Sequence, residues 1–232
     1  MDMNSKHITD IFFDLDHTLW DFDRNSKLAF QRLFDRHSIP ANLDDFIEVY
    51  EPINFQYWKL YREERIDKLG LRRGRFLDAF KPFGLQFSTD QLDELATSYI
   101  TELPKDNHLF DGTMDVLRYL SEKKFKMHII TNGFEEVQHL KLKNSKIDGF
   151  FNTVTTSEEV GVKKPNRLVF ERALDKANVL AGQSMMIGDT FEADILGAEA
   201  VGMKTLFYNY RNEPPPLNYK IINEIIEIKK YL

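Results

Sequence analysis

Short apolar runs of strand length, separated by helix-length segments, most constrain what this chain can fold into. Five stand out: Ile8 to Phe13, Lys126 to Ile130, Asn152 to Thr155, Ser184 to Ile187 and Met203 to Phe207. Before and between the later four lie segments of helical periodicity, such as Val116, Leu117 and Leu120, or Leu168, Phe170, Ala173 and Leu174. Alternating strands and helices build a parallel sheet with helices on both faces. The expected fold class is therefore α/β, with a Rossmann-like parallel sheet as its core.

The stretch from Arg24 to Leu103 reads differently. It carries no convincing strand but repeated amphipathic patterns: Phe30, Leu33 and Phe34; Tyr57, Leu60 and Tyr61; Phe76 and Phe80; Leu92, Leu95, Ala96 and Tyr99. The first strand must pair with strands that resume only near residue 126, so the helical block is inserted after strand one. This predicts an α/β core from residues 1–22 and 104–232, and an inserted α-helical cap domain over 23–103. Pro214, Pro215 and Pro216 predict a rigid break before a last helix, Asn223 to Tyr231.

Charge and composition exclude several partners. Lys and Arg total 31 against 37 for Asp and Glu, a net charge of −6, which leaves no basic excess to hold a nucleic-acid polymer. With no cysteine in the chain, disulfides, thiolate metal sites and Cys nucleophiles are out. Met1 to Thr9 is too polar for a signal sequence, and no apolar run reaches the ~18 residues of a membrane span. The expectation is a cytoplasmic protein with no membrane partner; the sequence leaves its oligomeric state open.

What ends each strand is more telling. Ile11, Phe12 and Phe13 run into Asp14, Leu15, Asp16, His17 and Thr18; Ile129 and Ile130 into Thr131, Asn132 and Gly133; Met185, Met186 and Ile187 into Gly188, Asp189 and Thr190. In an open parallel sheet the carboxyl ends of the strands form one edge, where ligands bind, so these residues converge. Lys163, Lys164 and Pro165, following the strand near residue 154, bring a cation to that edge. Asp14 and Asp16, two apart, are expected to point to the same side. Gathering them with Asp189 requires a divalent cation against their repulsion, and an all-oxygen set beside phosphate suits Mg²⁺.

Asp14-Leu15-Asp16-His17-Thr18-Leu19, the lone Thr131, Lys164-Pro165, and Gly188-Asp189 with Asp194 resemble, in order and spacing, the four motifs of the haloacid dehalogenase-like (HAD) hydrolase superfamily. The resemblance spans almost the whole chain, because that superfamily inserts a cap domain where the helical block lies. Thr18 to Phe22, Ile130 to Phe134 and Ser157 to Asn166 further resemble its pyrimidine 5′-nucleotidases. His17 departs from the Gly often found there and reads as a tolerated turn residue.

The resemblance implies the chemistry. Asp14 attacks phosphorus and forms an aspartyl-phosphate, while Asp16 protonates the leaving oxygen and later activates water. Asp14 and Asp189, with the backbone carbonyl of Asp16, hold Mg²⁺. Thr131 and Lys164, helped by the backbone amides of Leu15 and Asn132, bind the phosphoryl group. Lys164 is favoured over Lys163 because it directly precedes Pro165. Asp194 braces Lys164 or a metal-bound water, or simply caps a helix starting near Glu192. The cap selects a small-molecule phosphomonoester, with Phe55, Tyr57, Trp58 and Tyr61, or better Trp20 and Phe22, available to stack on a base.

Other readings share the scaffold. Sugar-phosphate or phosphoglycolate phosphatase and phosphomutase activities use the same nucleophile. A dehalogenase needs no acid at position 16 and no metal; a receiver-type phospho-acceptor domain lacks the large insertion. No Walker-type loop, Gly-x-Ser-x-Gly elbow or His-Glu-x-x-His motif is present.

Overall fold

Strand β1 (Asp10–Phe13) is four consecutive buried residues, as a strand covered on both faces requires. In the computed structural model, which describes residues 8–214 and 217–232, it lies inside a six-stranded parallel sheet. The others are β2 (Lys126–Thr131), β3 (Phe151–Thr156), β4 (Ser184–Gly188), β5 (Lys204–Tyr208) and β6 (Ile221–Ile222), in the order β3-β2-β1-β4-β5-β6. Pro215 and Pro216, two of the three prolines of the expected rigid break, and Met1 to His7, part of the polar N-terminus, lie outside the described residues.

The chain divides into two compact units: Met1–Phe22 with Asn107–Leu232, and Asp23–Asp106. The second boundary falls at Asp106 rather than at Leu103, because the 3-10 turn Leu103–Lys105 continues directly from the last helix of the inserted unit.

That inserted unit is all helical: α1 (Phe22–His37), α2 (Leu43–Arg62), α3 (Lys68–Phe80) and α4 (Thr89–Glu102). Local chemistry sets the starts. Asn42 accepts from the Asp45 amide at 3.1 Å, Asp67 from the Gly70 amide at 2.7 Å, and Ser88 and Gln91 form a reciprocal capping box. Its centre is aromatic: Phe30 packs against Tyr50 at 4.5 Å and Tyr99 at 4.6 Å between ring centroids, and Phe46 against Phe80 at 4.6 Å. Each such ring stabilises the unit by roughly 2 kcal/mol. Gly74 lets α2 and α3 approach, since a Cβ there would stand 2.2 Å from the Tyr57 ring. Tyr57 and Leu60 are only half-buried; the inward face of α2 is Phe46, Tyr50, Asn54 and Tyr61.

In the sheet unit, α5 (Thr113–Glu122) buries Val116, Leu117 and Leu120. Further on, α6 (Glu135–Asn144) follows β2, the single turn α7 (Ser157–Val160) follows β3, and α8 (Arg167–Ala177) leads towards β4. One face of the sheet presents Phe12, Ile130 and Met186 to Val169, Phe170, Ala173 and Leu174 of α8. The segment after β4, Phe191–Leu196, is a π-helix, and the expected last helix is a 3-10 helix confined to Ile225–Lys230.

Candidate active site

The strand order reverses at β1: the chain runs out through β2 and β3 on one side, then through β4, β5 and β6 on the other. A crevice forms at the carboxyl edge of such a switch point. Phe13 is level with Ile187, so Asp14 leaves β1 beside the end of β4, and its amide donates to the Ile187 carbonyl at 2.9 Å. Phe13 is also level with Ile129, which brings the end of β2 to the other flank.

Asp14, Asp189 and Asp194 gather there, each offering a carboxylate oxygen within 4.8 Å of the others. Lys164 is the cation among them. Its Nζ lies 2.6 Å from Oδ1 of Asp14, 2.6 Å from Oδ1 of Asp194 and 2.8 Å from the Ile130 carbonyl. Burial opposes the charge on Lys164, but Asp14 and Asp194 outweigh it and hold the ammonium firmly protonated. Burial pushes Asp14 up to about 7; Lys164 opposes that shift and Asp194 adds to it. Asp189 is raised well above the usual carboxylate range, by burial first and then by the charges of Asp14 and Asp194. Three carboxyl groups share one ammonium, so ionising all three would leave uncompensated negative charge, and the donor atoms are all oxygen, which is the environment a hard divalent cation fits.

Neighbouring groups fix this cluster. Thr18 donates to Oδ1 of Asp189 at 3.1 Å, and the Thr190 amide to Oδ2 of Asp194 at 3.0 Å, so Asp194 both contacts Lys164 and caps its own helical turn. Gly188 makes room: a Cβ would stand 2.4 Å from Oδ2 of Asp194. The Asn132 side chain clamps the Lys164 peptide, with Oδ1 accepting from the Lys164 amide at 2.8 Å and Nδ2 donating to its carbonyl at 3.0 Å. Only the Asn132 backbone figured in the sequence reading; the clamp joins two loops 32 residues apart, a proximity no local pattern announces.

Asp16 does not join the carboxylate cluster. It lies beyond the end of β1, where strand alternation no longer governs direction, and its side chain faces α6. Gln138 Nε2 donates to its Oδ2 at 2.8 Å and Lys141 Nζ to its Oδ1 at 2.5 Å. Gln138 Nε2 also donates to Thr131 Oγ1 at 2.9 Å, and the Gly133 amide donates to the same hydroxyl at 3.0 Å. Neither Gln138 nor Lys141 was singled out from sequence, although two polar residues three apart on the buried side of a helix are a readable signal. Leu15 is fully buried, and Lys163 lies half-buried beside the enclosed Lys164.

His17 takes φ 62°, the left-handed region that explains why Gly suits this place, and its Nδ1 meets the Tyr210 hydroxyl at 2.7 Å. Trp20 has no exposed ring face for a base: it is fully buried, with Lys141 Nζ 4.2 Å from its ring centroid. Phe55 is exposed, and Tyr61 packs edge-on against Trp58.

Residues 11–208 match the family model described as haloacid dehalogenase-like hydrolase. The chain is 33% identical over 207 residues to the pyrimidine 5′-nucleotidase YjjG of Escherichia coli, covering 89% of this chain and 88% of that protein. It is 32% identical to a glyceraldehyde 3-phosphate phosphatase of Pyrococcus abyssi, over 86% of this chain and 81% of the other. The magnesium-bound crystal structure of the putative HAD-hydrolase YfnB of Bacillus subtilis superposes with a TM-score of 0.87 at 27% identity, covering 97% of this chain and 99% of that one.

Proposed function

The chain belongs to the haloacid dehalogenase-like hydrolase family, and on that premise we propose that it is a Mg²⁺-dependent phosphomonoesterase acting on pyrimidine nucleoside 5′-monophosphates. The observation that carries the reading is the contact of Lys164 with Asp14 and Asp194 at the carboxyl edge of β1, with Asp189 alongside. Asp14, Asp189 and the backbone carbonyl of Asp16 are the groups assigned to hold Mg²⁺. When bound, the ion would supply positive charge that offsets the repulsion of the nucleophilic carboxylate and the phosphate.

In the first half-reaction the carboxylate of Asp14 attacks phosphorus; the bond from phosphorus to the ester oxygen breaks, and Asp16 gives that oxygen a proton. In the second, water attacks the aspartyl-phosphate, Asp16 takes a proton from it, and inorganic phosphate leaves with Asp14 restored. Thr131 and Lys164, with the amides of Leu15 and Asn132, stabilise the charge on the phosphoryl oxygens. The inserted helical unit is assigned the role of cap, selecting among phosphomonoesters. The acid at position 16 is what separates this chemistry from dehalogenation, and the likeness to YjjG supports nucleotides as substrates.

The test is phosphate release from a panel of monophosphates with Mg²⁺, run beside Asp14→Asn. Pyrimidine nucleoside monophosphates should rank first and Asp14→Asn should release no phosphate. A ranking led by glyceraldehyde 3-phosphate or other sugar phosphates would move the substrate assignment to that class.

A further inference from the structure

Thr131 Oγ1 accepts two hydrogen bonds, from Gln138 Nε2 at 2.9 Å and from the Gly133 amide at 3.0 Å. A hydroxyl has two acceptor lone pairs and one proton, so with both lone pairs taken the proton is left to be donated. The other hydrogen of the same Gln138 amide goes to Oδ2 of Asp16 at 2.8 Å. In its ionised form, the one that takes a proton from water, the Asp16 carboxylate only accepts, which fixes which end of the Gln138 amide faces it. One fully buried side chain thus orients the proton-transferring acid and sets a phosphate-facing hydroxyl as donor.

The surroundings are arranged around this amide. Gly133 leaves the space it occupies: a Cβ there would stand 1.5 Å from Gln138 Nε2. One turn further along α6, Lys141 takes the other oxygen of Asp16 at 2.5 Å. Lys141 is 2% exposed, with its ammonium 4.2 Å from the Trp20 ring centroid and 5.2 Å from that of Phe22. Enclosing an ammonium costs several kcal/mol, and apolar replacements of buried ion pairs are often neutral or stabilising, so such a pair is weak evidence for a purely structural role.

Resting on the reading of Asp16 as acid and base, we propose that Gln138 and Lys141 are positioning residues of this enzyme. Together they fix the plane of the Asp16 carboxylate, and Gln138 couples it to Thr131 so that the hydroxyl proton points towards the phosphoryl group.

Proton donation matters for a poor leaving group and hardly at all for a good one, which gives a readout that simple packing does not move. The experiment compares Gln138→Met, Lys141→Met and Lys141→Arg with Asp16→Asn and an exposed control, Lys143→Met. Each is assayed on a nucleoside monophosphate and on p-nitrophenyl phosphate, with inorganic phosphate as inhibitor. Gln138→Met and Lys141→Met should lower kcat on the nucleotide by roughly 10- to 100-fold, and on the activated aryl ester at least several-fold less. Gln138→Met alone should also weaken inhibition by phosphate several-fold; Lys141→Arg should recover part of the loss, which keeps the test open where Lys141→Met does not fold; Lys143→Met should match the parent. Wild-type kcat in both Met variants, or equal losses on both substrates with phosphate inhibition unchanged, overturns the proposal. Should Asp16→Asn itself keep full turnover of the nucleotide, the acid–base reading has failed; should Asp16→Asn lose it selectively while the α6 variants do not, the positioning role alone has failed.

Discussion

The ammonium of Lys164 lies 2.6 Å from Oδ1 of Asp14, in a setting where burial alone would keep both groups neutral. Burial, the largest influence, raises Asp14 from 3.8 to about 7 even with Lys164 in contact, and Asp189 is raised well above the same starting value. A carboxyl whose folded value exceeds its unfolded one contributes stability below the unfolded value and loses it as pH rises through the folded one. Metal-free protein is therefore expected to lose stability from about pH 4 to pH 7. A divalent cation binds the ionised carboxylates, so Mg²⁺ should raise the melting temperature more at pH 7.5 than at pH 5. Thermal melts in chelator and in Mg²⁺ at the two pH values check this; an equal Mg²⁺ shift at both would speak against the shared cation site.

Asn132→Ala removes both hydrogen bonds that hold the Lys164 peptide, at 2.8 and 3.0 Å. The Lys164 ammonium should then wander from the line between Asp14 and Asp194. A misplacement of about 1 Å costs on the order of 100-fold in rate, so kcat should fall by roughly 10- to 100-fold with little change in thermal stability. Steady-state kinetics beside a melting curve measure both; unchanged kcat would mean the clamp is dispensable.

Gly188→Ala puts a methyl group 2.4 Å from Oδ2 of Asp194. The carboxylate must move, and with it the brace on Lys164. The expected result is a loss of activity of roughly 100-fold, and Gly188→Ala/Asp194→Ala should not recover it, because Cβ of residue 194 would still stand 2.6 Å from the new methyl and the brace on Lys164 would be gone. Steady-state kinetics check this; wild-type kcat in Gly188→Ala would show that the close approach of residues 188 and 194 is dispensable.

Acid should weaken the inserted unit by a different route. Burial works to raise Glu102, but hydrogen bonds from Lys105, Arg32 and Arg36 outweigh it and bring the group from 4.5 down to about 2. The sign is opposite to that of Asp14: this stabilisation is complete above 4.5 and is lost as pH falls towards 2. Its partners are a third to a half exposed, so solvent screening limits the contribution to about 1–3 kcal/mol. Glu102→Gln should flatten the fall in stability between pH 5 and 2, measured by urea unfolding of the full chain.

How much of this the sequence carries depends on how local each signal is. Five strands announce themselves as apolar runs, but β6 (Ile221–Ile222) is two residues long, too short to show any period. The residues that follow it read as a helix because Ile225 and Ile228 are spaced for one, and a 3-10 helix buries the same pair. Asp14, Thr131, Lys164 and Asp189 are legible because each ends or follows a strand. Asn132 and Gln138 act through side-chain contacts across 32 and 122 residues, which strand and helix periodicities do not encode. Helix α6 had one clue to offer: with Gln138 and Lys141 buried beside Val137 and Leu142, its inward side is half polar.

The central claim is covalent catalysis by Asp14, and borohydride trapping tests it most directly. Enzyme turning over a nucleoside monophosphate with Mg²⁺ is quenched in acid and reduced, which converts an acyl phosphate to an alcohol, and peptides are mapped by mass spectrometry. The expected product is homoserine at position 14, present only in enzyme quenched during turnover, and in Asp16→Asn more abundant on p-nitrophenyl phosphate, whose leaving group needs no proton while hydrolysis of the intermediate is slowed. Undiminished phosphate release by Asp14→Asn, or reduction at any other carboxylate, would contradict it.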